Sequence, residues 1–270
     1  MIRRMLQVTA TVLAALLYIA AAAVIVARLY RGEERAPARS TGLALAAAAV
    51  AVHGLVVLQT TWLGPGLNLG FFNALSLVAW LTALGLVASA IHWRLEHLGA
   101  LLLPLAAVTV VLALAAPPEA TIPRGAMLEA HILLSMTAYS VLLAAVLQAV
   151  ALAILDYRLR HHRATGFVRM LPALRTMEKQ LFALVTLGFI ALTAALGSGF
   201  LFIETLLAGH MIHKTTLTLT AWLVFGGLLA GHSLYGWRGQ TAVRWTFTGF
   251  GALALGYFGT KFVLELLLSR

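Results

Sequence analysis

The sequence predicts an all-α fold, a polytopic membrane helix bundle of about eight transmembrane helices, and three observations predict it. Mean hydropathy is +0.95, with 61% hydrophobic and only 10% charged residues, values far outside those of a soluble domain. Uncharged apolar stretches long enough for a bilayer core of about 30 Å, roughly 20 helical residues, recur along the whole chain of 270 residues. Leu and Ala dominate them, period-2 alternation is absent, and each is far longer than a barrel strand of about 10 residues, which excludes a β-barrel. No soluble domain fits between the stretches, so residues 1–270 read as a single integral membrane domain.

The spans are predicted in order at 5–27, 41–62, 70–92, 98–116, 127–155, 179–203, 214–234 and 245–268. The first follows "MIRR" as a signal peptide would, but its apolar run of about 23 residues exceeds the usual hydrophobic region of about 7–15, so it is kept as a helix. The fourth is interrupted by Pro104 and stops at Pro117-Pro118, which makes it kinked or short; membrane helices tolerate this when neighbours satisfy the freed carbonyl. Between the fifth and sixth spans, residues 167–178 read as a short amphipathic helix lying along the interface.

Lys and Arg set the orientation, because cationic loops resist translocation. Arg28, Arg31, Arg35 and Arg39 follow the first span, Arg94 the third, six basic residues from Arg158 to Lys179 the fifth, and Arg238 and Arg244 the seventh. Only Arg3, Arg4, Arg124, Lys214 and Arg270 fall on the other side, while Lys261 lies inside the last span. Both termini are therefore expected outside, with the loop near 156–178 in the cytoplasm of a multi-pass protein of the plasma (inner) membrane.

The net charge of +10 follows this pattern and attracts anionic lipid rather than nucleic acid, since "DYRLRHHRATGFVRM" has too few aromatics for a stacking surface. With no cysteine, the chain cannot exchange disulfides, hold an iron-sulfur cluster through thiolates or attach haem covalently through its own thiols. Walker A, HExxH and GxSxG sequences are absent, and no nucleophile stands beside a base, so no reaction is assigned.

The histidines remain. His92, His97, His161 and His162 fall in loops or at helix ends, where histidine is ordinarily a polar interfacial residue. His53 sits midway along its span, where an ionisable residue is costly and faces the bundle interior, either hydrogen-bonded to a neighbouring helix or ligating a metal. His232 ends the seventh span. His131 opens the fifth, and His210 and His213, three apart, precede the seventh on the same side of the membrane. Two neutral imidazoles from separate helices can ligate a planar iron macrocycle axially. Zinc is the weaker rival, because HxxH with only Glu129 and Glu204 nearby supplies too few ligands.

Residues 213–259, "HKTTLTLTAWLVFGGLLAGHSLYGWRGQTAVRWTFTGFGALALGYFG", resemble the C-terminal portion of the cytochrome c assembly family that includes CcsA, CcmC and the HemX-like proteins. The segment "LEAHILLSMTAYSVLLAAVLQAVALAILDYRLRHH", residues 128–162, resembles that family's preceding core helix. The tryptophan-rich WGxxWxWDPKETW loop of its haem-lyase members is missing; "GSGFLFIETLLAGHMIHKTTLTLTAW" stands in its place, and the chain closes with "LELLLSR" without a further external histidine. The resemblance is thus to the HemX-like or YpjD-like branch.

The resemblance implies b-type haem as ligand, with His131 matching the outer ligand, His232 one membrane histidine and His53 the other; His210 and His213 have no counterpart in the family, but their location would let one of them replace the missing outer ligand. It implies a protein that binds or regulates haem, or assists cytochrome c assembly alongside other membrane proteins of cytochrome assembly or haem metabolism, without being a haem lyase. His53 lies about 12 residues, or ~18 Å at 1.5 Å per residue, from the end of its span on the side where His232 lies, which opposes their pairing. A small-molecule transporter using His53, Gln59, Lys261 and Glu265, or a structural accessory subunit of a membrane complex, is the alternative. Lys261 and Glu265, four apart, are placed to pair with each other.

Overall fold

In hydrocarbon every backbone N–H and C=O must be paired within its own segment, so apolar stretches of this length fold as helices. The computed structural model describes residues 2–31, 37–62, 66–90, 93, 95–114, 122, 125–161, 171–200 and 212–268. It contains eight helices long and apolar enough to cross a membrane. They are α1 (Ile2–Arg31), α2 (Arg39–Val57, continued by a π turn Leu58–Trp62), α3 (Phe71–Ser89), α4 (Gly99–Leu114, entered through a 3₁₀ turn Glu96–Leu98) and α5 (Ala126–Arg160). After these come α6 (Leu174–Gly199), α7 (Ile212–Tyr235) and α8 (Gln240–Ala254, extended by π turns Leu255–Gly259 and Phe262–Leu267). Among the described residues there is no strand, only one antiparallel pair, in which Leu67 and Ile122 exchange amide–carbonyl bonds of 2.9 Å.

All eight predicted spans are helices, with shifts of five residues at three ends: α5 runs on to Arg160 instead of 155, α8 begins at Gln240 instead of 245, and α6 begins early. Helix α4 runs through Pro104 to Leu114. Helix α6 begins at Leu174 instead of 179 and absorbs part of the stretch expected as an interfacial helix. Arg175 and Lys179 suggested the later start, but they lie on its exposed face while Met177 and Leu181 are fully buried. The basic residues 162–170, and with them His162, lie outside the described residues, as do His92 and His210.

The chain divides into two compact units, residues 1–124 with 163–171, and residues 125–162 with 172–270. In the first, α1 packs on α2 and α4, and α3 on α4 and α2. Small residues permit this: Ala14 and Ala21 on α1, Ala46 and Ala49 on α2, and Ala74 and Ala83 on α3 are almost wholly buried. Arg39 at the start of α2 donates to the Glu96 carboxylate and, at 2.8 Å, to the carbonyl of Ala90.

In the second unit, α5 packs on α6 and α8, and α7 on α8 and α6. Buried Gln148 of α5 donates to the Met177 carbonyl at 3.0 Å and to Gln180 at 3.2 Å, fixing α5 against the start of α6. Gly249 of α8 admits the Phe225 ring of α7, which a Cβ would meet at 2.8 Å. Lys261 and Glu265 do pair, across one turn of α8.

Candidate functional site

Helix α2 carries His53 on its buried stripe with Ala46, Ala49, Val50, Val56 and Val57. The ring is fully enclosed, and both of its nitrogens are engaged. Nδ1 lies 3.0 Å from the Tyr18 hydroxyl on α1, and Nε2 lies 2.8 Å from the Ser76 hydroxyl on α3. The Tyr18 ring meets the imidazole edge-on, with centroids 5.6 Å apart. In a neutral imidazole one nitrogen donates and the other accepts, and each hydroxyl can play either part. His53 therefore ties three helices together and has no ring nitrogen to spare in this arrangement.

His232 is held differently. Helix α7 ends at Tyr235 because Gly236 takes φ +69°, and Gly239 follows with φ +55°, conformations that favour glycine. These two glycines are the first and last residues of "GWRG", so the motif is a turn that folds the chain back over α7. The Trp237 amide donates to the Gly231 carbonyl at 3.2 Å, and the Trp237 ring lies so close to Gly231 that a Cβ there would stand 2.3 Å from it. The returning chain brings the Trp237 carbonyl 2.9 Å from His232 Nδ1. A carbonyl only accepts, so Nδ1–H donates, and in the neutral form of the ring the lone pair is on Nε2. Phe182 of α6 stacks on the imidazole at 3.6 Å and 16°, which fixes the ring plane. The Glu178 carboxylate accepts the Gly239 amide at 2.9 Å, and Gln240 donates to Asp156 at 2.9 Å, securing the turn to α6 and α5.

His131 opens α5 as predicted, and its Nδ1 lies 2.8 Å from Ser198 Oγ near the end of α6. Ser198 is also within reach of the Ala195 carbonyl, at 2.9 Å, so donating its hydroxyl hydrogen there leaves its oxygen placed to accept from His131 Nδ1. His213 stands exposed in the first turn of α7.

His131 and His232 touch α6 at Ser198 and Phe182, 16 positions apart, or about 24 Å along the helix. They belong to opposite ends of the second unit and do not share one ligand atom. Helices α5 and α7 both start at the His131 end, which places His213 there too. His53 belongs to the first unit, and no group of three His, Cys, Asp or Glu able to hold a metal ion occurs among the described residues.

The partners of these histidines were not legible as such. Tyr18, Ser76, Phe182 and Ser198 are ordinary residues of apolar helices, and only GWRG carried a signal, through its two glycines.

Residues 41–268, from α2 to the end of α8, match the model of the family described as cytochrome C assembly protein. The chain is 33% identical over 210 residues to the inner membrane protein YpjD of Escherichia coli (strain K12), covering 75% of this chain and 77% of that protein. It is 31% identical over 209 residues to an uncharacterized 28.8 kDa protein in the nifR3-like 5' region of Azospirillum brasilense, covering 73% of this chain and 77% of that protein. No solved structure matches it.

Proposed function

The chain belongs to the cytochrome c assembly protein family, and from that premise we propose that this multi-pass inner-membrane protein handles haem in the service of cytochrome c assembly. The observation that carries the proposal is the state of His232. Axial ligation of haem iron needs a neutral imidazole with a lone pair on one nitrogen and an acceptor fixing the N–H of the other. His232 has the acceptor and the orientation this needs, with the Trp237 carbonyl at Nδ1 and Phe182 stacked on the ring. Ser198 orients the His131 ring through Nδ1 in a comparable way.

The donor set fits one axial histidine at each end of the second unit, with His213 at the His131 end as a candidate further ligand. His53 fits less well, since ligation there requires breaking its bond to Tyr18 or to Ser76. Bound haem would supply a redox-active iron; the protein would supply ligands, ring orientation and exclusion of water. Membrane proteins that deliver or receive haem are the partners this implies. On the distribution of basic residues, His131 faces the outside and His232 the cytoplasm.

A reduced-minus-oxidised absorption spectrum of the detergent-purified protein with added hemin tests the proposal, using His131→Ala, His232→Ala and His53→Ala variants. A b-type signal abolished by His232→Ala, weakened by His131→Ala and retained in His53→Ala is the expected result. Failure of the unaltered protein to take up hemin would sink the reading.

A further inference from the structure

The first unit contains polar atoms that the haem reading does not use. Thr11 is 0% exposed and Asn73 5% exposed, yet Thr11 Oγ1, Asn73 Oδ1 and the buried Gln59 Oε1 have no hydrogen-bond partner among the described residues. A buried polar oxygen without a partner is costly, more so in a bilayer, and such sites ordinarily hold water.

The three share a side. Helices α1, α2 and α3 alternate in direction, so the amino end of α1, the carboxyl end of α2 and the amino end of α3 lie at one membrane face. Thr11 precedes Tyr18 by seven residues on α1, Gln59 follows His53 by six on α2, and Asn73 precedes Ser76 by three on α3. Measured from the plane of the Tyr18–His53–Ser76 cluster, Asn73 stands about 4.5 Å, Gln59 about 9 Å and Thr11 about 10.5 Å toward that face. Thr11 and Tyr18, seven apart, occupy one stripe of α1, the stripe that meets His53.

Toward the opposite face the buried positions are apolar: Ala21, Ala22 and Ile25 on α1, and Ala46, Ala49 and Val50 on α2. On α3 the buried Thr82 hydroxyl there is satisfied by the Val78 carbonyl at 2.7 Å. Polarity therefore stops at His53.

We propose that α1, α2 and α3 enclose a hydrated polar shaft, open to the face that carries the amino end of α1 and closed at His53, through which water and protons from that face reach the imidazole. Successive polar groups are offset by about 5 Å or less along the helix axes, and waters can bridge polar groups beyond direct contact. The Tyr18–His53–Ser76 chain lets a proton enter at one hydroxyl and leave at the other by a change of tautomer, with no charge held on the ring at the end. Among the described residues, Tyr18 is the titratable side chain bonded to His53. Two members, Thr11 and Tyr18, lie on α1, ahead of the family match that begins at residue 41.

The absence of native cysteine makes the test direct. Thr11→Cys, Asn73→Cys, a lipid-facing control Leu16→Cys and a buried apolar control Leu103→Cys are reconstituted in proteoliposomes and treated with a charged, membrane-impermeant methanethiosulfonate, which reacts only with hydrated thiolate. The shaft predicts labelling of Thr11→Cys and Asn73→Cys at least about tenfold faster than either control, and from one face only. Rates equal to the controls, or labelling from the opposite face, would overturn the proposal. Should the cysteine variants fail to fold, the melting midpoint of Thr11→Val decides. A fall is expected, because bound water loses a partner; a rise or no change, as for a dry orphan hydroxyl, would overturn it.

Discussion

The Nδ1–H of His232 donates to the carbonyl of Trp237 at 2.9 Å, and Gly236, at φ +69°, is the residue that turns the chain to make the bond. Orientation of the imidazole thus depends on a backbone conformation just beyond the end of α7.

Gly236→Ala keeps every ring in the sequence and strains only that turn. A left-handed alanine costs about 1 kcal/mol, so the melting temperature is expected to fall slightly. Hemin uptake is expected to fall further than the stability change accounts for, because the Trp237 carbonyl moves away from His232. Differential scanning fluorimetry beside a hemin titration separates the two effects.

Tyr18→Phe and Ser76→Ala each leave one buried nitrogen of His53 unpaired. Each is expected to destabilise the protein by about 1–3 kcal/mol. Because both act through one imidazole, the double variant should cost less or more than the sum rather than matching it. Equilibrium unfolding in detergent measures this, and strict additivity would show that the two hydroxyls do not act through His53.

Tyr139 of α5 donates to the carbonyl of Leu253, just before the first π turn of α8, at 2.8 Å. Tyr139→Phe removes only that donor. A loss of about 1–2 kcal/mol and faster amide exchange around Leu253 to Gly259 are expected, read by hydrogen–deuterium exchange. Unchanged exchange there would mean the π turn holds without the bond.

Gly188 of α6 faces Leu142 of α5, and a Cβ at 188 would stand 2.5 Å from Leu142 Cδ2 and 2.6 Å from its Cγ. Gly188→Ala is expected to destabilise the protein by about 1–3 kcal/mol through overpacking, read as a lower melting temperature. Adding Leu142→Ala, which by itself leaves a cavity, should recover part of the loss. A double variant no better than the sum of its parts would place the strain elsewhere.

Membrane helices are the part of a fold that sequence determines most directly, because hydrocarbon demands long apolar segments and internal backbone pairing. All eight spans here were legible, down to the pairing of Lys261 with Glu265. The start of α6 was misplaced because Arg175 and Lys179 look like a boundary until the helix face that exposes them is known. Glycine and histidine positions were legible too, but not their use. Whether an imidazole has a ring nitrogen available depends on residues far away in sequence: Tyr18 and Ser76 occupy both nitrogens of His53, whereas Trp237 and Phe182 fix His232 and, in its neutral form, leave its lone pair on Nε2. Composition and periodicity do not encode such partnerships, since a serine, tyrosine or phenylalanine in an apolar helix carries no mark of what it will face. Tertiary packing decided them, and with them that both ring nitrogens of His53 are engaged.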